Sequence, residues 1–200
     1  MAHRTEYCPD AGLLSPCTCD DEGINCMRVR NPWELRQSLM HSNASTEEQK
    51  ELWIQKTPIK WLMGDVLGNF KFDKVHIEFN AHLSFFLLGI LMKFKELLSV
   101  LSLYGNALPF FDFQRLQRFP NLVSFNLGGN QLTSIPQDAF RNYRLEKLGL
   151  NQNPITYIGE RAFLRLSSLR ELYLGHTRLT ILGPYSLAMS SHPSLRASNL

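Results

Sequence analysis

Leu122–Phe140 reads LVSFNLGGNQLTSIPQDAF and Leu145–Phe163 reads LEKLGLNQNPITYIGERAF, and these two stretches decide the fold. Laid over one another they match Leu122, Phe125 and Leu127 to Leu145, Leu148 and Leu150, and Asn130 to Asn153. The Asn position recurs at Asn80, Asn106, Asn130 and Asn153, with Thr177 in its place on the next copy, at intervals of 26, 24, 23 and 24 residues. Such a period belongs to a stack of units, because each unit can bury its apolar face only against its neighbours.

Both stretches fit LxxLxLxxNxL, the pattern of the leucine-rich repeat. Each copy lays down one short strand whose alternate side chains point inward, then returns behind the sheet through a looser arc. The expected inward residues are Leu98, Leu101 and Leu103, then Leu122, Phe125 and Leu127, then Leu145, Leu148 and Leu150, then Leu169, Leu172 and Leu174. The arc adds Leu132 and Ile135, Ile155 and Ile158, Leu179 and Leu182, followed by Phe140, Phe163 and Leu187 in a further shared position. The Asn amide both donates and accepts, which suits a turn whose buried backbone groups lack ladder partners; Thr177 can do only part of that.

Two hundred residues with 44% hydrophobic and 20% charged content can bury a sizeable core, and the repeats make it one elongated domain. The net charge of +3 is small and its basic residues dispersed, Arg28–Arg30 being the densest group, which excludes a nucleic-acid footprint. The apolar run Leu83–Met92 is too short to cross a bilayer, which takes about 20 residues, and Lys93 and Lys95 interrupt it. It falls on the outer arc of the first clear copy, with Phe85 and Ile90 at the apolar positions, so no membrane span is expected within this segment. His82 stands where the pattern wants an apolar residue, as irregular edge copies allow.

All four cysteines, Cys8, Cys17, Cys19 and Cys26, precede the repeats. An even number ahead of a repeat array points to a disulfide-bonded cap over the exposed end of the core, and C-x-C lacks the paired C-x-x-C spacing of zinc sites. Neighbours one residue apart seldom bridge, so spacing leaves Cys8–Cys19 with Cys17–Cys26, or Cys8–Cys17 with Cys19–Cys26. The fold class is therefore an α/β repeat, a leucine-rich repeat solenoid or horseshoe with a parallel concave sheet and a disulfide-bonded N-terminal cap.

CPDAGLLSPCTCDDEGINC (Cys8–Cys26) resembles the cysteine-rich N-terminal cap of extracellular leucine-rich repeat proteins. In that family the first cysteine pairs with the third and the second with the fourth, which implies Cys8–Cys19 and Cys17–Cys26. Within the family, SPCTC (Ser15–Cys19) and TRLTILGPYSLAMSSHPSLR (Thr177–Arg196) resemble arthropod secreted proteins similar to the non-catalytic subunit of oplophorus-luciferin 2-monooxygenase. That resemblance implies an accessory role beside a separate catalytic chain.

The chain divides into a cap over residues 1–30, an irregular or helical lead-in over 31–70, and about five repeats over 71–200. Leu195, Ser198 and Leu200 fall at the inward positions of a truncated sixth copy. In the lead-in, Ser45–Glu48 fits a capping box opening a helix over Lys50–Lys56, with Pro58 barring its continuation. Bridged cysteines imply an extracellular, secreted protein, yet MAHRTEY reaches Cys8 without an apolar signal region, so an incomplete N-terminus is expected. Asn43-Ala44-Ser45 is then a glycosylation sequon.

No catalytic, metal or cofactor constellation is present in the sequence. His76 and His176 lie four copies apart, about 19 Å at the spacing of parallel strands, too far to share a metal or a proton. GxSxG, HExxH and phosphate-binding glycine loops do not occur. What remains is the concave face, whose candidate protein-binding residues are Tyr104, Asn126, Lys147, Asn151, Arg170, Tyr173 and His176. At its edge Glu146 and Lys147 are expected to face Arg170 and Glu171 on the next copy. The function expected is a secreted protein-binding module without catalytic activity of its own; the alternative is the ectodomain fragment of a leucine-rich repeat cell-surface receptor.

Overall fold

The structure, a computed structural model, describes residues 7–41 and 46–190. The Asn43 sequon, Ser45 of the capping box, and Leu195, Ser198 and Leu200 of the sixth copy lie outside the described residues.

The cap comprises a helical turn α1 (Ala11–Leu14), β1 (Thr18–Cys19), β2 (Gly23–Asn25) and a helix α2 (Pro32–Ser38). The copies follow as β3 (Glu48–Gln55), β4 (Trp61–Leu62), β5 (Lys71–Glu78), β6 (Phe85–Phe86), β7 (Val100–Ser102), β8 (Ser124–Asn126), β9 (Ser134–Ile135), β10 (Lys147–Gly149), β11 (Tyr157–Ile158) and β12 (Glu171–Tyr173). Two 3-10 turns, Leu88–Phe94 and Phe113–Arg118, carry the chain round the outer side.

Among the described residues the main sheet has the order β1-β2-β3-β5-β7-β8-β10-β12. Every pair in it is parallel except β1 with β2. Its register places Ile24, Leu52, Val75, Leu101, Phe125, Leu148 and Leu172 side by side across seven strands. All seven are buried, and this one column runs from the cap into the last described copy. The outer arcs close the core with aromatic rings: Phe140 lies 5.0 Å from Phe113 and 5.5 Å from Phe163, centroid to centroid.

The Asn positions form a second ladder. Asn106 Nδ2 donates to the carbonyls of Ile77 and Leu103, at 2.7 and 2.8 Å, while its Oδ1 accepts from the Asn80 backbone N–H at 3.0 Å. Asn130 and Asn153 repeat the arrangement one and two copies on. Each amide thus satisfies carbonyls of its own copy and the one before it, at the turn where the strands have ended.

Three expectations are corrected. Lys50–Lys56 is not a helix: β3 alternates buried Leu52 and Ile54 with half-buried Glu51, Trp53 and Gln55, a period of two, and hydrogen-bonds between β2 and β5. Residues from 48 onward therefore form a full copy, in which Thr57 takes the Asn position and donates to Asn80 Oδ1 through both its backbone N–H and its hydroxyl. On the next copy Phe86, not Phe85, fills the apolar position, and Leu83, one place beyond His82, is the buried residue. Leu182 is 43% exposed and Leu179 and Leu187 only partly buried, so the fifth arc packs less tightly than the arcs before it. The helix that does occur, α2, starts at Asn31, whose side chain accepts from Glu34 N–H at 2.8 Å with Pro32 at the first turn.

Both disulfides close as Cys8–Cys19, with S–S 2.03 Å, and Cys17–Cys26, with S–S 2.06 Å. Cys26 occupies the inward position that Ile54 takes on the next strand, so the bridge itself forms the end of the core.

Candidate protein-binding face

Side chains that alternate with the buried column stand on the concave side of the sheet. On β8, β10 and β12, the strands bring Asn126, Lys147, Asn151 and Tyr173 around one hollow of about 230 Å³. Its floor is Gly149, where an added Cβ would sit 2.5 Å from Asn126 Oδ1; only the missing side chain leaves the space open. Asn126 is fixed by the Gly128 N–H, which donates to its Oδ1 at 2.8 Å. Tyr173 O–H donates to Glu171, whose carboxylate is also 3.3 Å from Lys147 Nζ.

The other candidates lie around this hollow. Arg170, three-quarters exposed, stands at the edge of the sheet 3.6 Å from Glu146. Both expected charge pairs between the fourth and fifth copies thus form; exposed pairs of this kind contribute about 0.2–1 kcal/mol, so they tune the register without holding it. His176, in the left-handed conformation at φ 56°, lines a second, shallower hollow of about 400 Å³ with Gln131, Gln152 and Arg178. Tyr104 connects the two: its ring lies over Gly128 and Gly129, and its hydroxyl reaches Gln152, two copies along. Ser102 on β7, the register partner of Asn126, is buried, being only 6% exposed.

A second group was not foreseen from the sequence. On the first two copies β3 and β5 pair Glu51 with Lys74 and Trp53 with His76, which places Glu51, Trp53, His76 and Glu78 together. The Trp53 and His76 rings stack at 5.8 Å and 10°. Glu51 Oε1 is 3.0 Å from Lys74 Nζ and its Oε2 3.0 Å from His76 Nε2; Glu78 Oε2 accepts from Gln55 Nε2 at 2.7 Å. The neighbouring Glu78, and then Glu51, raise the His76 pKa above its ordinary value against the opposing effect of burial. Burial pushes Glu78 up, but the neighbouring His76, Ser102 and Gln55 outweigh it and hold its carboxyl below the usual range.

A raised His76 pKa means that the protonated ring favours the folded state. Its contribution is complete below the unfolded value and is lost as the pH rises through the folded one. His76→Gln is therefore expected to cost more stability at about pH 5.5 than at about pH 8.5, measured by urea unfolding at both. A cost that grew with pH would reverse the sign of this coupling.

The described residues hold no group of three or more His, Cys, Asp or Glu side chains placed to bind a metal ion. Among the same residues, no helix is long and apolar enough to cross a membrane.

Comparison with known proteins agrees with this architecture. Residues 120–179 match the family model described as "Leucine rich repeat". Human "Leucine-rich repeats and immunoglobulin-like domains protein 2" is 33% identical over 88 residues, 44% of this chain and 8% of that protein. Mouse "Toll-like receptor 9" is 35% identical over 83 residues, 41% of this chain and 8% of that one. The chain thus spans only a small part of either relative. A solved structure described as a TLR13-ssRNA13 complex superimposes on 80% of this chain and 29% of its own, with a TM-score of 0.52 at 18% identity, a similarity of fold. The repeat period, the parallel sheet with its asparagine ladder, and the match over residues 120–179 together show that this chain has the leucine-rich repeat fold.

Proposed function

We propose that the chain is an extracellular, secreted binding module, without catalysis of its own, that takes a protein partner on its concave face. The observation that carries this is the glycine-floored hollow of β8, β10 and β12, walled by Asn126, Asn151, Lys147 and Tyr173. Amide and tyrosine side chains held on a rigid sheet supply hydrogen bonds and flat contact area at low entropic cost, the chemistry of protein interfaces. The small, dispersed charge favours a protein over a nucleic acid. Two bridged cysteine pairs support the extracellular location.

Two further readings each have an observation behind them. The resemblance of Ser15–Cys19 and Thr177–Arg196 to non-catalytic luciferase subunits favours an accessory role, which co-purification of a catalytic chain would support. The relative named as a receptor favours a receptor ectodomain, which about 20 apolar residues downstream in a longer transcript would support.

The experiment is a pull-down from the source tissue followed by affinity measurement on variants. Arg170→Glu and Tyr173→Ala are expected to weaken partner binding about tenfold or more, roughly 1.4 kcal/mol, with the fold retained. Arg165→Glu, exposed on the outer arc, is expected to leave it unchanged. A partner lost with Arg165→Glu and indifferent to the other two would move the site to the convex side.

A further inference from the structure

The charged group on β3 and β5 sets hydrogen-bond acceptors side by side on the concave face. Glu51 is a carboxylate that can only accept, so the His76 nitrogen 3.0 Å from it, Nε2, must carry a proton. In the neutral ring the other nitrogen, Nδ1, is then a lone pair, and it stands 3.8 Å from Glu78 Oε1. Nδ1 and that carboxylate oxygen are then neighbouring acceptors. Close by, the stacked rings of Trp53 and His76 offer a flat apolar platform. The side chains of Glu51, His76 and Glu78 keep 23%, 20% and 17% of their surface exposed, so the group is reachable from the concave side.

We propose that this group binds the guanidinium of an arginine side chain from an extended polypeptide, which donates to Glu78 and His76 Nδ1 while lying against the Trp53–His76 platform. A planar guanidinium fits for three reasons: it only donates, its fork spans neighbouring acceptors, and it stacks on aromatic faces. Charge agrees as well. Lys74 neutralises one of the two carboxylates, leaving Glu78 uncompensated when His76 is neutral.

The alternative donor is a proton on Nδ1, so proton and ligand compete for one position. The groups facing His76 are Glu51 and Trp53 from β3, Lys74 and Glu78 from β5, and Ser102 from β7; β7 brings no charged side chain. The raised pKa of His76 moves the competition to higher pH than a free imidazole would set. Arginine binding therefore strengthens as the pH rises, the reverse of the stability contribution of the same ring. The inference shares with the proposed function the premise that the concave face binds polypeptide, but it uses β3 and β5 rather than β8, β10 and β12. Failure of one is thus separable from failure of the other.

The test is an NMR pH titration of the His76 ring, assigned with His76→Gln, in the absence and presence of the peptide Ac-Gly-Arg-Gly-Arg-NH2. At saturation the arginine peptide is expected to lower the His76 midpoint by about half a unit or more while leaving the other histidines unmoved. Glu78→Gln, which keeps the shape of the side chain, is expected to abolish the shift, and Trp53→Leu to reduce it with both carboxylates in place. An unmoved midpoint, an equal shift with the lysine analogue of the peptide, or a shift that survives Glu78→Gln overturns the proposal.

Discussion

Replacing Phe140 by alanine is expected to lower the unfolding free energy by about 3–5 kcal/mol, the usual range for emptying a large aromatic site. The ring is fully buried and lies between Phe113 and Phe163. Those neighbours belong to the preceding and following arcs, whose positions are set by their own strands and by the asparagine ladder. They cannot close over the gap without pulling two copies out of register, which places the cost toward the upper end of the range. Leu182→Ala is the control: that side chain is 43% exposed and should cost under about 1 kcal/mol. Urea unfolding of both variants decides it, and equal losses would mean that the arc does not pack as described.

Removing the Cys17–Cys26 bridge with paired alanine substitutions should cost about 2–5 kcal/mol. Part of that is the freed loop in the unfolded chain. Part is local, because both cysteines are buried and Cys26 N–H donates to the Trp53 carbonyl at 2.7 Å, joining the cap to the first full copy. The Cys8–Cys19 bridge is only partly buried, and its loss should lie nearer 2 kcal/mol. Non-reducing peptide mapping checks the pairing directly; four free thiols would remove this prediction together with the extracellular reading.

Leucine spacing made the middle copies legible, because a period of two on the strand followed by a fixed Asn leaves few other arrangements. Leu101, Phe125, Leu148 and Leu172 stand where that spacing puts them. The first copy was not legible, for a physical reason. Leu52 and Ile54 carry the strand alternation, but Ser45–Glu48 imitates a helix start and Thr57 hides the Asn position, so local signals outweighed the register that only neighbouring strands supply. The same slip concealed α2, although Asn31-Pro32 is a helix-opening pair.

The candidate face divides the same way. Residues on adjacent strands at one pattern position, such as Lys147 and Glu171, could be paired from sequence. The Glu51–His76–Glu78 group could not, because it needs β3 to be a strand. The Tyr104–Gln152 contact could not either, because it skips a copy and depends on the bare backbone of Gly128 and Gly129.

The antiparallel start of the sheet has a consequence for growth. A stack of parallel rungs has no intrinsic length, and its first strand would present a free edge on which a second molecule could continue the ladder end to end. Here β2 is parallel to β3, but β1, only two residues long, turns back against β2 and is held there by Cys8–Cys19 and Cys17–Cys26. Reversed polarity and short length deny an incoming parallel strand its template. The bridged knot thereby acts as a terminator that denies this end of the sheet to head-to-tail continuation.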